Sequence, residues 1–156
     1  MKSIGEELQL FVRRFGLLNA SCCDECCGEQ VSMAQGHILF EIRRTDNPSM
    51  QQVAEELGMD VTTFSRQAKS LETKGLIVRR VSPEDRRVSL LGLTDAGRQV
   101  LEKIDRYMAD KVERIFSQMS EFERETVVRS LGLLNEAVNK AGSNGSRQGD
   151  KIACCN

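Results

Sequence analysis

The six cysteines of this 156-residue chain stand as three adjacent doublets: Cys22 and Cys23, Cys26 and Cys27, Cys154 and Cys155. Within "SCCDECCGEQ", residues 21 to 30, Cys23 and Cys26 form a CxxC, and Cys22 with Cys26 and Cys23 with Cys27 are four apart. On a helical turn such pairs share a face. Three thiolates brought together suit a soft, thiophilic ion, and a fourth completes a tetrahedral zinc-type site. Asp24 and Glu25 work in two directions there, attracting a cation while raising the thiol pKa values. Neighbouring thiols could instead close a disulfide after an oxidant or electrophile attacks one of them. The plainest alternative is a set of small buried apolar side chains. His37, the single histidine, is a candidate nitrogen ligand, set against an ordinary packing or hydrogen-bonding role.

A second chemistry is carried by charge. Between Asp60 and Gln99 eight basic residues (Arg66, Lys69, Lys74, Arg79, Arg80, Arg86, Arg87, Arg98) face five acidic ones, a local balance of +3 in a chain whose net charge is -1. The remainder is therefore at -4. A positive stretch in an acidic protein suits a local phosphate-binding surface and limits indiscriminate attachment to nucleic acid; a merely solvated charged face is the alternative.

Composition bounds what can hold these residues. The length allows one domain with a real core, and 40% hydrophobic content with 4% aromatic and no Trp favours an α-rich fold. Acidic residues occupy the place of a secretory apolar region in "MKSIGEELQLFVRRFGLL", and no segment approaches the roughly 18 apolar residues of a membrane span. The expected location is the cytoplasm, where thiols stay reduced and clusters serve metals or redox chemistry more often than structural bridges. No P-loop, GxSxG or HExxH pattern occurs, and one histidine leaves little for a catalytic constellation, so an enzyme is not expected.

Periodicity supplies the elements. Ile4, Leu8, Phe11, Phe15 and Leu18 mark an amphipathic helix over about residues 2–20, and Ala34, Ile38 and Ile42 one face of a second from Val31 to Arg44, stopped by "TDNP". Ser49 and Gln52 form a capping box for a short helix ending at Gly58; Asp60 is placed to cap the next, which runs to Lys74 and stops at Gly75. Two short helices joined by a Gly-containing turn make a helix-turn-helix. Val61, Phe64, Ala68 and Leu71 are the expected packed face of its second helix, leaving Thr62, Thr63, Ser65, Arg66 and Lys69 for base edges and phosphates. "LIVRRVSPEDRRVSLLGLT" reads as two strands around a charged turn, the form of a wing. From Thr94, a cap by its residue type, a long helix carries Ala96, Val100, Ile104, Met108, Val112, Ile115 and Met119, and Ser120 with Glu123 opens a last helix to about Lys140 bearing Phe122, Val127, Leu131, Leu134 and Val138. So long an apolar stripe needs a partner, most simply a second copy. The segment 142–156 has the composition of a flexible tail ending in Cys154 and Cys155.

The stretch "EDRRVSLLGLTDAG" resembles the wing of the MarR family of winged-helix transcriptional regulators through Asp85, Arg87, Leu93, Thr94 and Gly97, and "MDVTTFSRQAKSLETKGLIVRR" resembles that family's recognition helix and first wing strand. The resemblance is strong over Val31 to Leu101 and rests on pattern alone in the flanking helices. It implies a mostly α fold with a small β-hairpin wing, one domain over 1–141, a winged helix over about 31–94, and dimerisation helices over about 2–20 and 95–140. It further implies an obligate homodimer with two recognition helices on a palindromic duplex, and an Arg87 that enters the minor groove, oriented by Asp85 and accompanied by Arg86.

Where many such regulators take aromatic acids, this chain has thiols. "SCC…AQ" is similar to a stretch of arsenic-associated regulators. The reading is therefore a DNA-binding regulator, needing no cofactor to bind DNA, whose effector is arsenite or another thiophilic ion held by Cys22, Cys23, Cys26 and Cys27, with Cys154 or Cys155 supplying a third sulfur. A ten-residue flexible span, 142–151, reaches about 16 to 19 Å, enough to return to the body of a dimer. The alternatives are an oxidant-sensing regulator of the same family, and a thiol-based metal buffer or redox protein in which the basic hairpin is incidental.

Overall fold

The computed structural model describes residues 3–16 and 31–145. Leu18, all six cysteines and the tail beyond Gly145 lie outside the described residues. The chain divides into two compact units, Met1–Ala109 and Asp110–Asn156.

In the first unit, helix α1 spans Ile4–Phe15, opened by a capping box between Ser3 and Glu6. It ends sooner than the periodicity to Leu18 suggests, because Gly16 takes φ 85° and its N–H closes on the Arg13 and Val12 carbonyls. A left-handed residue at this place ends a helix, and glycine adopts it without a Cβ clash. Helix α2, Met33–Arg44, is opened by a second such box, Ser32 with Gln35. Helix α3, Met50–Glu56, begins at the Ser49–Gln52 box, and α4, Val61–Thr73, at the Asp60 cap, both as the sequence indicates. Strands β1, Ile77–Val81, and β2, Ser89–Leu93, pair antiparallel with Ile77 opposite Leu93 and Val81 opposite Ser89. Ser49 bridges to Leu90, so the residues just before α3 extend the hairpin. Thr94 accepts a hydrogen bond from the Gly97 N–H at 3.0 Å and caps α5, Asp95–Phe116.

One core ties these elements together: Ile38, Leu39 and Ile42 from α2, Val53 and Ala54 from α3, Phe64, Ala68 and Leu71 from α4, Leu76, Ile77 and Leu91 from the hairpin, and Val100 and Leu101 from α5. On α4 and at the start of α5, Val61 and Ala96, expected to pack, are exposed: each stands in the first turn of its helix, before the residues that the core covers. Glu41 is buried on α2 and is held by Arg44, which donates to it at 2.7 and 3.0 Å, and by the Thr45 hydroxyl at 3.1 Å. The Arg44 hydrogen bonds hold the Glu41 carboxyl below its ordinary pKa, so it stays charged and can be buried. Arg44 also donates to Glu56 at 3.0 Å, joining α2 to α3.

In the second unit, α5 ends at Phe116, before Met119, and α6 spans Glu121–Gly145 from the Ser120–Glu123 box. The helix runs past Lys140, so 142–145, expected in the tail, are helical. Among the residues whose burial is described, neither α1 nor α6 has a buried one: Ile4 and Phe122 are each 77% exposed, and Leu8, Phe11, Leu131, Leu134 and Val138 are exposed as well.

The tightest packing is at the start of α5. A Cβ at Gly97 would stand 2.0 Å from the Leu76 carbonyl oxygen and 3.0 Å from its carbon, so backbone itself blocks any side chain. Overpacking typically costs 1 to 3 kcal/mol and more where backbone must move. Gly97→Ala is therefore expected to lower unfolding free energy by about 3 kcal/mol in urea titration; a loss below about 0.5 kcal/mol would mean that α5 slides without cost.

Candidate nucleic-acid interface

Helix α4 owes its outward chemistry to the phase of its core residues. With Phe64, Ala68 and Leu71 buried, Thr62, Thr63, Arg66 and Lys69 are exposed and Ser65 is half-buried. Its first turn is fixed by Asp60, whose carboxylate accepts the Thr63 N–H at 2.9 Å. The Thr63 hydroxyl and then its backbone N–H hold the Asp60 carboxyl below its ordinary range, so the cap is charged at neutral pH and favours the helix N-terminus.

Side-chain bonds to the main chain shape the wing. The Ser82 N–H donates to the Val88 carbonyl and the Val88 N–H to the Asp85 carbonyl, each at 2.9 Å. Ser82 Oγ accepts from the Glu84 and Asp85 N–H groups at 3.3 and 3.5 Å. Asp85 Oδ1 accepts the Arg87 backbone N–H at 2.9 Å. Asp85 thus contacts Arg87 through the main chain, and the guanidinium has no ion-pair partner among the described residues. The root of the wing lies beside α3, where Ser82, Asp85 and Val88 line one hollow with Gln51, Gln52 and Glu55.

Among the described residues Arg66, Lys69, Arg86 and Arg87 are all exposed and none has an ion-pair partner, whereas Arg43, Arg44, Arg79 and Arg98 are paired with Asp105, Glu41 and Glu56, Glu72, and Asp95. Cations left in water on a helix face and a loop are available to phosphates, and releasing the counterions that phosphates hold is the main source of such affinity.

The cysteines proposed as ligands, Cys22, Cys23, Cys26, Cys27, Cys154 and Cys155, lie outside the described residues. His37 is exposed on α2, and no group of three or more His, Cys, Asp or Glu is arranged to hold a metal among the described residues. Four residues after Cys27, the chain enters the core at Val31. Gln35, which the sequence reading passed over, is buried and joins two elements: its amide donates to Ser70 Oγ of α4 at 3.1 Å, and its Oε1 accepts from Lys74 Nζ at 3.0 Å and from the Ser32 N–H at 3.3 Å. The signal for it was present as the S-x-x-Q box of "SMAQ".

A profile of the MarR family matches residues 31–89. The uncharacterized HTH-type transcriptional regulator YxaD of Bacillus subtilis (strain 168) is 30% identical over 131 residues, covering 84% of this chain and 90% of that protein. Among solved structures, Streptococcus pneumoniae FabT in complex with DNA is 27% identical with a TM-score of 0.77, covering 88% of this chain and 96% of that one. The S. aureus MepR–DNA complex shares the fold at 22% identity, with a TM-score of 0.69 over 88% of this chain and 99% of that one.

If the uncommitted guanidinium at the wing tip enters a narrow, negatively charged minor groove, its loss has a definite size. Arg87→Ala is expected to weaken binding to a cognate duplex by about 1 to 3 kcal/mol, measured by fluorescence anisotropy across a salt series. Unchanged affinity at every salt concentration would remove the wing from the interface.

Proposed function

The chain belongs to the MarR family of winged-helix transcriptional regulators and is a DNA-binding regulator rather than an enzyme; from that premise we propose that it is a homodimeric repressor whose hold on a palindromic operator is controlled by a trivalent metalloid of the arsenite type at its clustered cysteines. The dimer is supported by the apolar side chains that α1 and α6 each leave in water, since exposed apolar faces mark association sites. The DNA-binding step is supported by the unpaired cations of α4 and the wing.

The single observation that carries the control step is Gln35. It stands on the first turn of α2, eight residues after Cys27, and its side chain bonds directly to Ser70 and Lys74 at the end of the recognition helix. A shift of Ser32 and Gln35 therefore changes the hydrogen bonds of α4 itself. The metalloid chemistry needs no oxidant: arsenite, As(OH)3, exchanges three hydroxides for three thiolates, and each thiol proton leaves with a hydroxide as water. Two thiols from the 22–27 cluster and one from Cys154 or Cys155 complete the trigonal set. Control then requires that the metalloid bind one arrangement of the recognition helices better than another.

Native mass spectrometry of the reduced dimer with arsenite, alongside operator binding, tests this reading. Bound arsenic with a changed operator affinity is expected; Ser replacements at Cys22, Cys23, Cys26 or Cys27 should blunt the change and spare DNA binding, and removal of residues 150–156 should lower arsenite affinity. A response to peroxide with none to arsenite would transfer the cysteines to oxidant sensing. Gln35→Leu separates the site from its readout: arsenite should still bind, with operator affinity no longer altered. A variant that responds like the parent protein would show that coupling runs elsewhere.

A further inference from the structure

Val61 is the exposed large apolar residue of the recognition helix, and its position explains why. At about 100° per residue it lies within about 60° of Phe64 around the helix, yet Val61 is 70% exposed and Phe64 1%. The difference is axial. Val61 is the first residue of α4, directly after the Asp60 cap, and the core that covers Phe64, Ala68 and Leu71 does not extend to it. Burial of a Val side chain is favourable, so this position forgoes that gain in the free protein. Its neighbours Thr62, Thr63, Arg66 and Lys69 are polar and exposed.

The N-terminal residues of a helix-turn-helix recognition helix are those that approach base edges in the major groove. Among the groups displayed there, the apolar one is the C5-methyl of thymine. We propose that Val61 reads a thymine methyl in each half-site, an apolar specificity contact beside the polar readers of the same helix. This rests on the DNA-binding reading above. Two features prepare the side chain for the contact: a β-branched residue in a helix is held in one strongly preferred χ1 rotamer, so its methyls lose little freedom on docking, and the Asp60 cap fixes the turn that bears it.

The experiment begins by selecting duplexes from a random library with the full-length reduced protein. Enriched duplexes are then remade with deoxyuridine for thymidine, one position at a time, which removes the methyl and leaves the hydrogen-bonding edge intact. Burial of one methyl-sized group corresponds to about fourfold in affinity. One thymine per half-site is expected to show a loss of that size with the parent protein and with Arg87→Ala, and none with Val61→Ser. A loss that persists in Val61→Ser assigns the methyl to Thr62 or Thr63 and overturns the proposal, as does the absence of any sensitive thymine. Because Val61 lies outside the core, thermal melting should match for Val61→Ser and parent; should it fall, Val61→Ala takes its place with the same two outcomes. Failure to enrich any duplex would instead sink the DNA-binding reading on which the proposal stands.

Discussion

The end of α4, the hairpin and α5 are tied together at one contact, between the start of α5 and the turn that ends α4. The Thr94 hydroxyl donates to the Gly75 carbonyl at 2.6 Å while accepting the Gly97 N–H, the Thr94 N–H donates to the Leu76 carbonyl at 3.1 Å, and Gly97 lies against that same carbonyl with no room for a Cβ. Gly75 itself needs its φ of 71° to turn the chain from α4 into β1. Four residues thus join the turn after the recognition helix to the start of the next helix, through main-chain atoms and one hydroxyl. Main-chain contacts cannot be adjusted by choosing another rotamer, so a displacement of the first turn of α5 is also a displacement of the end of α4. The Leu-Thr-x-x-Gly pattern is the written form of this geometry: Leu93 pairs with Ile77, Thr94 bonds in both directions, and Gly97 permits the approach.

Composition alone understates how positive the exposed face is. Within Asp60–Gln99 the acids are largely occupied: Asp60 with its helix N-terminus, Glu72 with Arg79, Asp85 with the Arg87 amide, Asp95 with Arg98. Exposed pairs of this kind contribute little to stability. Their effect is on presentation, since they divide the cations into those used within the fold and those on α4 and the wing turn that remain for a polyanion. Outside this segment the chain is acidic, which opposes attachment of the rest of the molecule to a duplex.

Much of this was legible in the sequence because it is local. Capping residues at Ser49, Asp60, Thr94 and Ser120 act within one turn, the Pro-containing wing turn separates two β-branched runs, and helix phase follows from spacing alone. What was not legible depends on where the rest of the chain stops. Val61 and Ala96 have the right phase for burial and lack a neighbour at their height along the helix axis. Gln35 was obscured because a capping box describes its bonds to Ser32 and says nothing of Ser70, 35 residues away. The resemblance implies that Asp85 orients Arg87, and the amide through which it touches that residue is a matter of turn geometry that a motif does not report. The end of α1 turned on the conformation of Gly16, which a hydrophobic stripe does not report, and α6 ran through 142–145, whose Gly and Ser composition alone would stop it.

Helices α1 and α6 contain no buried residue among those whose burial is described, and this bears on how the protein responds to its own abundance. A helix with no core beneath it has only its capping and its intrinsic propensity to hold it, and isolated helices of 12 residues are marginal in water. If the cover is a second copy, folding of these helices and association become one equilibrium, and apparent stability rises with the logarithm of protein concentration. Newly made chains, few in number, would then be the ones most open to proteolysis at either end. The regulator would set its own lifetime by mass action, with a steeper loss of active dimer on dilution than DNA affinity alone would give.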